Sequence, residues 1–369
     1  MAGRHVLMTT DAVGGVWQYS TDLARELARG GYQVSLAVLG PAPDEAQRRC
    51  AAGIDGVRLL ETGLPLDWMC EGADEARQAA QSLARLAHAC GADLIHCNSP
   101  ALAGAAAFPV PVVAVAHGCI ATWWQAAKAE PLDRALRWHG EMMRRGLLAA
   151  DVVVAPSASF AATLQSTFRL PQMPLVVHNG RPATASGTSV TGGPHRLDAA
   201  LTIGRMWDPV KNGALLDAAA GMIDLRFLAA GPLCSPHGEE ITFAHIQALG
   251  QVPGPALNEL LALRPIAVSA ARFEPFGLAV LEAASAGCAL VLSDIATFRE
   301  LWDGAALFSD PDDAEGFAAA ITRVHGDPAL RQQLGTAAQA RAARYTPAAT
   351  ADAVMALYRT FRPDREAAA

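Results

Sequence analysis

The stretch RPATASGTSVTGGPHRL, Arg181 to Leu197, decides how the rest of the chain is read. It is built largely from Pro, Gly, Ser and Thr and carries no apolar periodicity that would hold it against a core, so it reads as a linker. Before it, short continuously apolar runs recur at His5-Thr10, Val34-Leu39, Val57-Glu61, Leu94-Cys97, Val110-Ala116, Val152-Ala155 and Leu175-His178. Runs without polar alternation, separated by helix-like stretches, are the pattern of a parallel sheet covered on both faces. Two intervening helices show packing stripes, one of Leu23, Leu27 and Ala28, the other of Ala76, Ala80, Leu83, Leu86 and Ala87. After the linker the pattern starts again, with strands at Ala200-Ile203, Arg226-Ala230, Ile266-Ala270, Ala289-Ser293 and Ala305-Phe308. Helices are expected at Leu215-Ala220, Leu257-Leu263, Leu278-Ala286 and Ala314-Val324. The expectation is an α/β chain of two Rossmann-like, doubly wound domains: 1-181, a linker at 182-197, and 198-345. A helical end, 346-369, returns to the first domain.

Composition agrees with this. A chain of 369 residues is about twice the usual size of one hydrophobic core, and 51% hydrophobic with 18% charged residues describes a globular protein. The net charge of −7, with no lysine-rich or arginine-rich tract, argues against nucleic acid as a partner. Seven cysteines, widely spread and without a C-x-x-C pair, suit reduced thiols rather than a zinc site or a disulfide framework. The apolar run before Asp11 is about half the length of a signal-peptide core, so a cytoplasmic location is expected. The segment Leu94 to Ala127 has no Asp, Glu, Lys or Arg and imitates a membrane span. Asn98, Ser99, Pro100, Gly104, Pro109, Pro111 and His117 punctuate it, however, as a buried strand, turn and second strand would require.

Ligands of doubly wound sheets bind outside the carboxyl ends of the strands, so two such domains facing a central cleft would both serve one site. The sharpest chemical segment is FEPFGLAVLE, Phe273 to Glu282, where a strand gives way to a loop and a helix starts near Gly277. Glu274 in the loop and Glu282 about one turn into the helix can face the same space. Between them the amides of Phe276, Gly277 and Leu278 lie at a helix N-terminus, where donors and dipole together favour an anion. Gly204-Arg205 follows another strand and Lys211-Asn212 comes six residues later. Arg205 by a forked contact and Lys211 as a point charge suit a diphosphate.

These residues resemble a family: E-x7-E within EPFGLxxLEA, preceded by G-R…K-N and the L-G-x-V segment Leu249 to Val252 and followed by Glu300, is similar to the family 4 glycosyltransferases of the two-domain GT-B architecture. The first domain carries the family's early glycine pair and its His after an apolar strand. The resemblance implies a retaining, metal-independent glycosyltransferase that moves a hexose from a nucleotide diphosphate sugar, with a uridine or guanosine base, to an acceptor hydroxyl. No cofactor is implied. It implies that Arg205 and Lys211 hold the donor diphosphate, that Glu274 contacts the transferred sugar and that Glu282 accepts hydrogen bonds from the ribose. The amides of Phe276, Gly277 and Leu278 would meet sugar and phosphate, and the backbone near Val252 the base. His117 would lie against the sugar near the reacting carbon.

Alternatives stand beside several of these. Gly14 and Gly15, after the first strand, either admit donor phosphate or acceptor or simply make a tight turn; the absence of G-x-G-x-x-G argues against a nicotinamide dinucleotide. His117 is otherwise a satisfied structural histidine, and His96 and Asn98 end the preceding strand as candidates for the same rim. Asp310-Pro-Asp312 and Asp313 precede a helix and read as caps rather than metal ligands. Trp123-Trp124 and the helix Asp133-Ala150 with Arg134, Arg137, Arg144 and Arg145 make either an acceptor wall, a basic face for a peripheral contact with the inner membrane surface, or, as preferred, a solvated face. The acceptor is left as a sugar, a lipid-linked molecule or another small molecule. The chain departs from the family pattern at Ala270-Ala271, at Pro232, and at Arg181-Pro182, where a hydrophobic residue and Asp are common. A sugar-nucleotide epimerase or phosphorylase on the same fold, or a non-catalytic nucleotide-sugar-binding subunit, are the competing functions.

Overall fold

The computed structural model describes residues 4–128, 130–183, 196–235 and 238–361; most of the proline-glycine stretch, 184–195, and the end of the chain, 362–369, lie outside them. The chain divides into unit 1, Met1–Gly180 with Pro347–Ala369, and unit 2, Arg181–Thr346.

Unit 1 holds strands β1 (His5–Asp11), β2 (Gln33–Leu39), β3 (Val57–Leu64), β4 (Leu94–Cys97), β5 (Val112–Val115), β6 (Val152–Ala155) and β7 (Leu175–Val176). They form one sheet in the order β3-β2-β1-β4-β5-β6-β7, and every pairing is parallel. The apolar runs of β1, β4 and β5 are wholly buried, as strands covered on both faces must be. Register sets Met8 beside His96 and His96 beside Val113, which places a histidine inside the sheet and leaves Asn98 and His117 just beyond the strand ends. Helix Gly15–Arg29 turns Tyr19, Leu23, Ala24 and Leu27 onto this core, and the terminal helix Pro347–Tyr358 adds Ala351, Val354 and Tyr358 to the same cluster.

Unit 2 holds β8 (Ala200–Ile203), β9 (Phe227–Ala230), β10 (Gln247–Gly250), β11 (Ile266–Ser269), β12 (Leu290–Ser293) and β13 (Ala306–Ser309), ordered β10-β9-β8-β11-β12-β13 and again parallel throughout. One face carries Leu201, Leu228, Leu290 and Leu292 against helix Leu278–Ser285, and the other carries Phe227, Val268 and Val291 against Phe317 and Ile321. Burying each of these large side chains contributes about 1.5–3 kcal/mol. Both sheets therefore reverse their winding between the first and fourth strands, β1/β4 in unit 1 and β8/β11 in unit 2.

Two local differences from the sequence reading have simple causes. Strand β10 is an edge strand whose Gln247, Ala248 and Leu249 are exposed, so it lacks the apolar run that marks the others. The stretch expected as one helix over 133–150 is a short turn at Arg134–Leu136, capped by Asp133, followed by helix Arg137–Ala149. Toward the end of the chain two helices follow one another, Pro328–Ala342 and Pro347–Tyr358, since Pro347 opens a new first turn instead of continuing the old one. Among the described residues no helix is long and apolar enough to cross a membrane. All seven cysteines are free.

Candidate functional site

In unit 2 the chemistry gathers at the carboxyl ends of β8, β9 and β11. Gly204 follows β8 with φ +155, and Gly231 follows β9 with φ +139. The two backbones touch: a Cβ on Gly231 would lie 1.8 Å from the Gly204 carbonyl oxygen. Only glycine permits that approach, which brings the loop from Gly204 to Asn212 down over the sheet. Asp208, almost fully buried, accepts the Val210 amide and also receives the Arg205 guanidinium at 3.1 Å. Asn212, at φ +61, closes the loop by donating to the carbonyls of Ala270 at 3.2 Å and Pro311 at 2.6 Å. Lys211 is thereby carried onto Glu274, with Nζ donating to Oε2 at 2.6 Å and both side chains about four-fifths covered.

Gly277 explains how Glu274 fits. It caps helix Leu278–Ser285 at φ +93, where a Cβ would stand 3.1 Å from the Phe298 ring and 3.3 Å from the Glu274 Cγ. No side chain caps this helix, so its first-turn amides keep their capacity for an anion. Lys211, Glu274 and Gly277 line a hollow with Ile203, Ser269 and Leu292. The Phe276 side chain is buried against Tyr345, ring centroids 5.6 Å apart, so the ring itself does not face a ligand. Leu278 and Val252 are half-buried against the core, Val252 following the edge strand β10.

Glu282 has a partner that the sequence reading did not supply. Arg181 Nε donates to its Oε1 at 2.8 Å, and each side chain is 20% exposed. The two are 101 residues apart. The one available signal was that Arg181 departs from the family pattern.

In unit 1 the corresponding ends of β4 and β5 carry a neutral network. His117 Nε2 lies 2.9 Å from Asn98 Oδ1. Asn98 Nδ2 donates to the Thr9 carbonyl at 2.7 Å and to Ser20 Oγ at 3.1 Å, so its oxygen must face the ring and His117 carries its proton on Nε2. Nδ1 is left with its lone pair. The Tyr19 ring meets the imidazole edge-on at 4.5 Å, and burial pushes the His117 pKa down to about 4. His96, expected at the rim, is instead fully buried: its Nε2 lies 3.2 Å from Tyr19 Oη and its Nδ1 2.7 Å from Tyr358 Oη. Burial, and then the neighbouring His117, lower the His96 pKa to about 3, while burial raises both tyrosines. A strand interior covered from both sides leaves His96 no route outward.

Gly14 precedes helix Gly15–Arg29 with φ −156, and a Cβ there would touch nothing within 4 Å. Neither backbone conformation nor packing demands glycine at 14, so the tight-turn explanation loses its force there. Asp11 holds the turn instead, accepting the amides of Val13 at 2.8 Å and Gly14 at 3.2 Å. Gly15 is exposed at the first helical position.

The acidic run near β13 is engaged locally. Asp313 caps helix Ala314–Gly326 through the Gly316 amide, Asp310 accepts the Asp312 amide, and Asp312 pairs with Arg272. On helix Arg137–Ala149 the arginines at 137, 144 and 145 are exposed, and Arg145 pairs with Glu141.

Two family models match the chain in order: Glycosyltransferase Family 4 over residues 13–183 and Glycosyl transferases group 1 over residues 198–327. A phosphatidyl-myo-inositol mannosyltransferase of Mycolicibacterium smegmatis is 32% identical over 189 residues, 48% of each chain. The chain spans about half the length of the curated relatives it matches. Among solved structures, sucrose-phosphate synthase from Thermosynechococcus elongatus superposes with a TM-score of 0.76 at 18% identity, covering 97% of this chain and 98% of that one. Anabaena HepE in complex with UDP-glucose gives 0.73 at 18% identity, covering 97% and 100%. At such identities the likeness speaks for the fold: two parallel-stranded α/β sheets with interspersed helices.

Proposed function

The chain belongs to the group 1 glycosyltransferases of family 4, and from that premise we propose that it transfers a hexose from a UDP- or GDP-sugar to an acceptor hydroxyl, retaining anomeric configuration and needing no bound metal. The observation that carries this is the Lys211–Glu274 pair beside the uncapped helix at Gly277, at the winding reversal of the unit 2 sheet. Ligands of such sheets bind where the strand order reverses.

Without donor, Lys211 and Glu274 neutralise one another. An arriving diphosphate competes for Lys211, aided by the helix amides, and releases Glu274 to accept hydrogen bonds from sugar hydroxyls. Phosphate and sugar recognition are then linked through one ion pair. As the sugar–phosphate bond lengthens, negative charge grows on the leaving diphosphate, and Lys211, Arg205 and the helix N-terminus stabilise it in place. These groups supply what a divalent ion gives other transferases. Glu282 accepts the ribose hydroxyls, and the backbone at Val252 meets the base. His117, neutral and with Nδ1 unprotonated, accepts a hydrogen bond from a sugar hydroxyl. Asn98 fixes its tautomer, and Gly14 and Gly15 leave room for donor or acceptor at the first turn. The UDP-glucose held by the Anabaena structure and the mannosyl transfer in the name of the mycobacterial relative support a hexose donor.

The test is release of nucleoside diphosphate from UDP-glucose and GDP-mannose with a panel of sugar and lipid-linked acceptors in excess EDTA, with the product anomer read by NMR. Acceptor-dependent release and a product keeping the donor's configuration are expected. Release that needs added metal, or an inverted product, would overturn the corresponding part of the proposal.

A further inference from the structure

We propose that Arg181 is a specificity-determining positioning residue for the donor ribose, acting through Glu282. The inference rests on the donor-site reading above and extends it to a residue outside the E-x7-E segment. Arg181 opens unit 2, and its backbone amide is fixed on the Tyr345 carbonyl at 3.1 Å. The Tyr345 ring is itself wedged between Phe276, at 5.6 Å, and Trp302, at 6.0 Å. The guanidinium therefore projects from an anchored backbone and meets Glu282 Oε1 at 2.8 Å.

Glu282 lies on the second turn of the helix whose N-terminus would receive the phosphate. A glutamate has three rotatable bonds and, unpaired, distributes over several rotamers. A bidentate-capable guanidinium on one carboxylate oxygen selects one of them and leaves the second oxygen as an acceptor. Holding that acceptor in place before the nucleotide arrives removes an ordering cost from binding. The gain falls on the ribose hydroxyls, since diphosphate recognition lies with Lys211, Arg205 and the helix amides. A hydrophobic side chain at 181 would leave the carboxylate to orient itself.

The experiment measures calorimetric affinities for UDP and GDP and for their 2′,3′-dideoxy analogues, in wild type, Arg181→Leu, Arg181→Lys, Glu282→Gln and the Arg181→Leu/Glu282→Gln double variant. Arg181→Leu is expected to weaken the bound ribonucleotide about 10-fold, the scale of one charge-assisted hydrogen bond, while changing the dideoxy analogue less than about 2-fold. The double variant should bind no more weakly than Glu282→Gln alone, because the arginine acts only through the glutamate. Arg181→Lys keeps the charge without the fork and should fall between wild type and Arg181→Leu, which also guards against a leucine variant that fails to fold. Equal losses for ribo and dideoxy nucleotides, or additive losses in the double variant, would overturn the inference while a ribose effect of Glu282→Gln stands. If Glu282→Gln leaves the ribose preference untouched, or wild type binds neither nucleotide, the donor-site reading itself fails.

Discussion

The two units share a strand order and differ in what they place at its carboxyl ends. In unit 1 the ends of β4 and β5 hold a largely buried network of His117, Asn98, Tyr19, His96 and Tyr358, in which both imidazoles are neutral. In unit 2 the ends of β8 and β11 hold partly exposed ion pairs, Lys211 with Glu274 and Arg205 with Asp208, and Arg181 with Glu282 stands one helix turn beyond. The same winding thus presents two kinds of side-chain environment. Deep burial suits groups that accept or donate a proton in a hydrogen bond without changing charge, because desolvation penalises the charged form. Ion pairs left about one-fifth exposed are instead exchangeable, since a ligand's charge can replace one partner at modest cost.

On that contrast, charge removal in unit 2 should have the largest effect. Lys211→Ala should lower turnover by about 10² or more, since a preorganised cation on a leaving group contributes a few kcal/mol. Arg205→Ala should cost less, about 10-fold, because its side chain is 44% exposed and already shared with Asp208. Steady-state rates near wild type in both folded variants would remove the diphosphate assignment.

His117→Ala tests the neutral network and should reduce kcat by about 10-fold to 10³-fold with little change in nucleotide diphosphate affinity, the behaviour of a contact that strengthens toward the transition state. An unchanged kcat would return His117 to a purely structural role.

The two glutamates sharpen the comparison within unit 2. Glu282→Gln should weaken free nucleotide diphosphate by about 10-fold. Glu274→Gln should spare that affinity and damage turnover if, as proposed, the carboxylate addresses the sugar. Equal affinity losses by calorimetry would erase the division of labour.

The smallest expected effect is on stability against pH. His117 and His96 titrate near pH 6.5 when unfolded but at about 4 and about 3 when folded. Between those values the unfolded chain binds protons that the folded chain does not, so this contribution is complete above about pH 6.5 and is lost progressively as pH falls toward 4. Thermal scans from pH 7.5 to 4.5 should show a smaller decline for His117→Asn than for wild type. Parallel declines would mean that the histidine is not buried in its neutral form.

Much of this protein can be read from its sequence alone. The uninterrupted apolar runs on both sides of Arg181–Leu197 announce two parallel sheets, because a strand covered on both faces has no reason to alternate. FEPFGLAVLE and the G-R…K-N segment name the family, because each is a strand end, a loop and a helix start compressed into adjacent residues. The edge strand β10 escaped this reading because one exposed strand carries no such run. His96 was read as rim although its register beside Met8 buries it. Only the tertiary structure decided which polar side chains pair. Lys211 and Glu274 are 63 residues apart, Arg181 and Glu282 are 101, and Tyr358 and His96 are 262. Periodicity and motif spacing describe neighbours along the chain, whereas these contacts depend on the order in which strands join the sheet and on which loops descend over its ends.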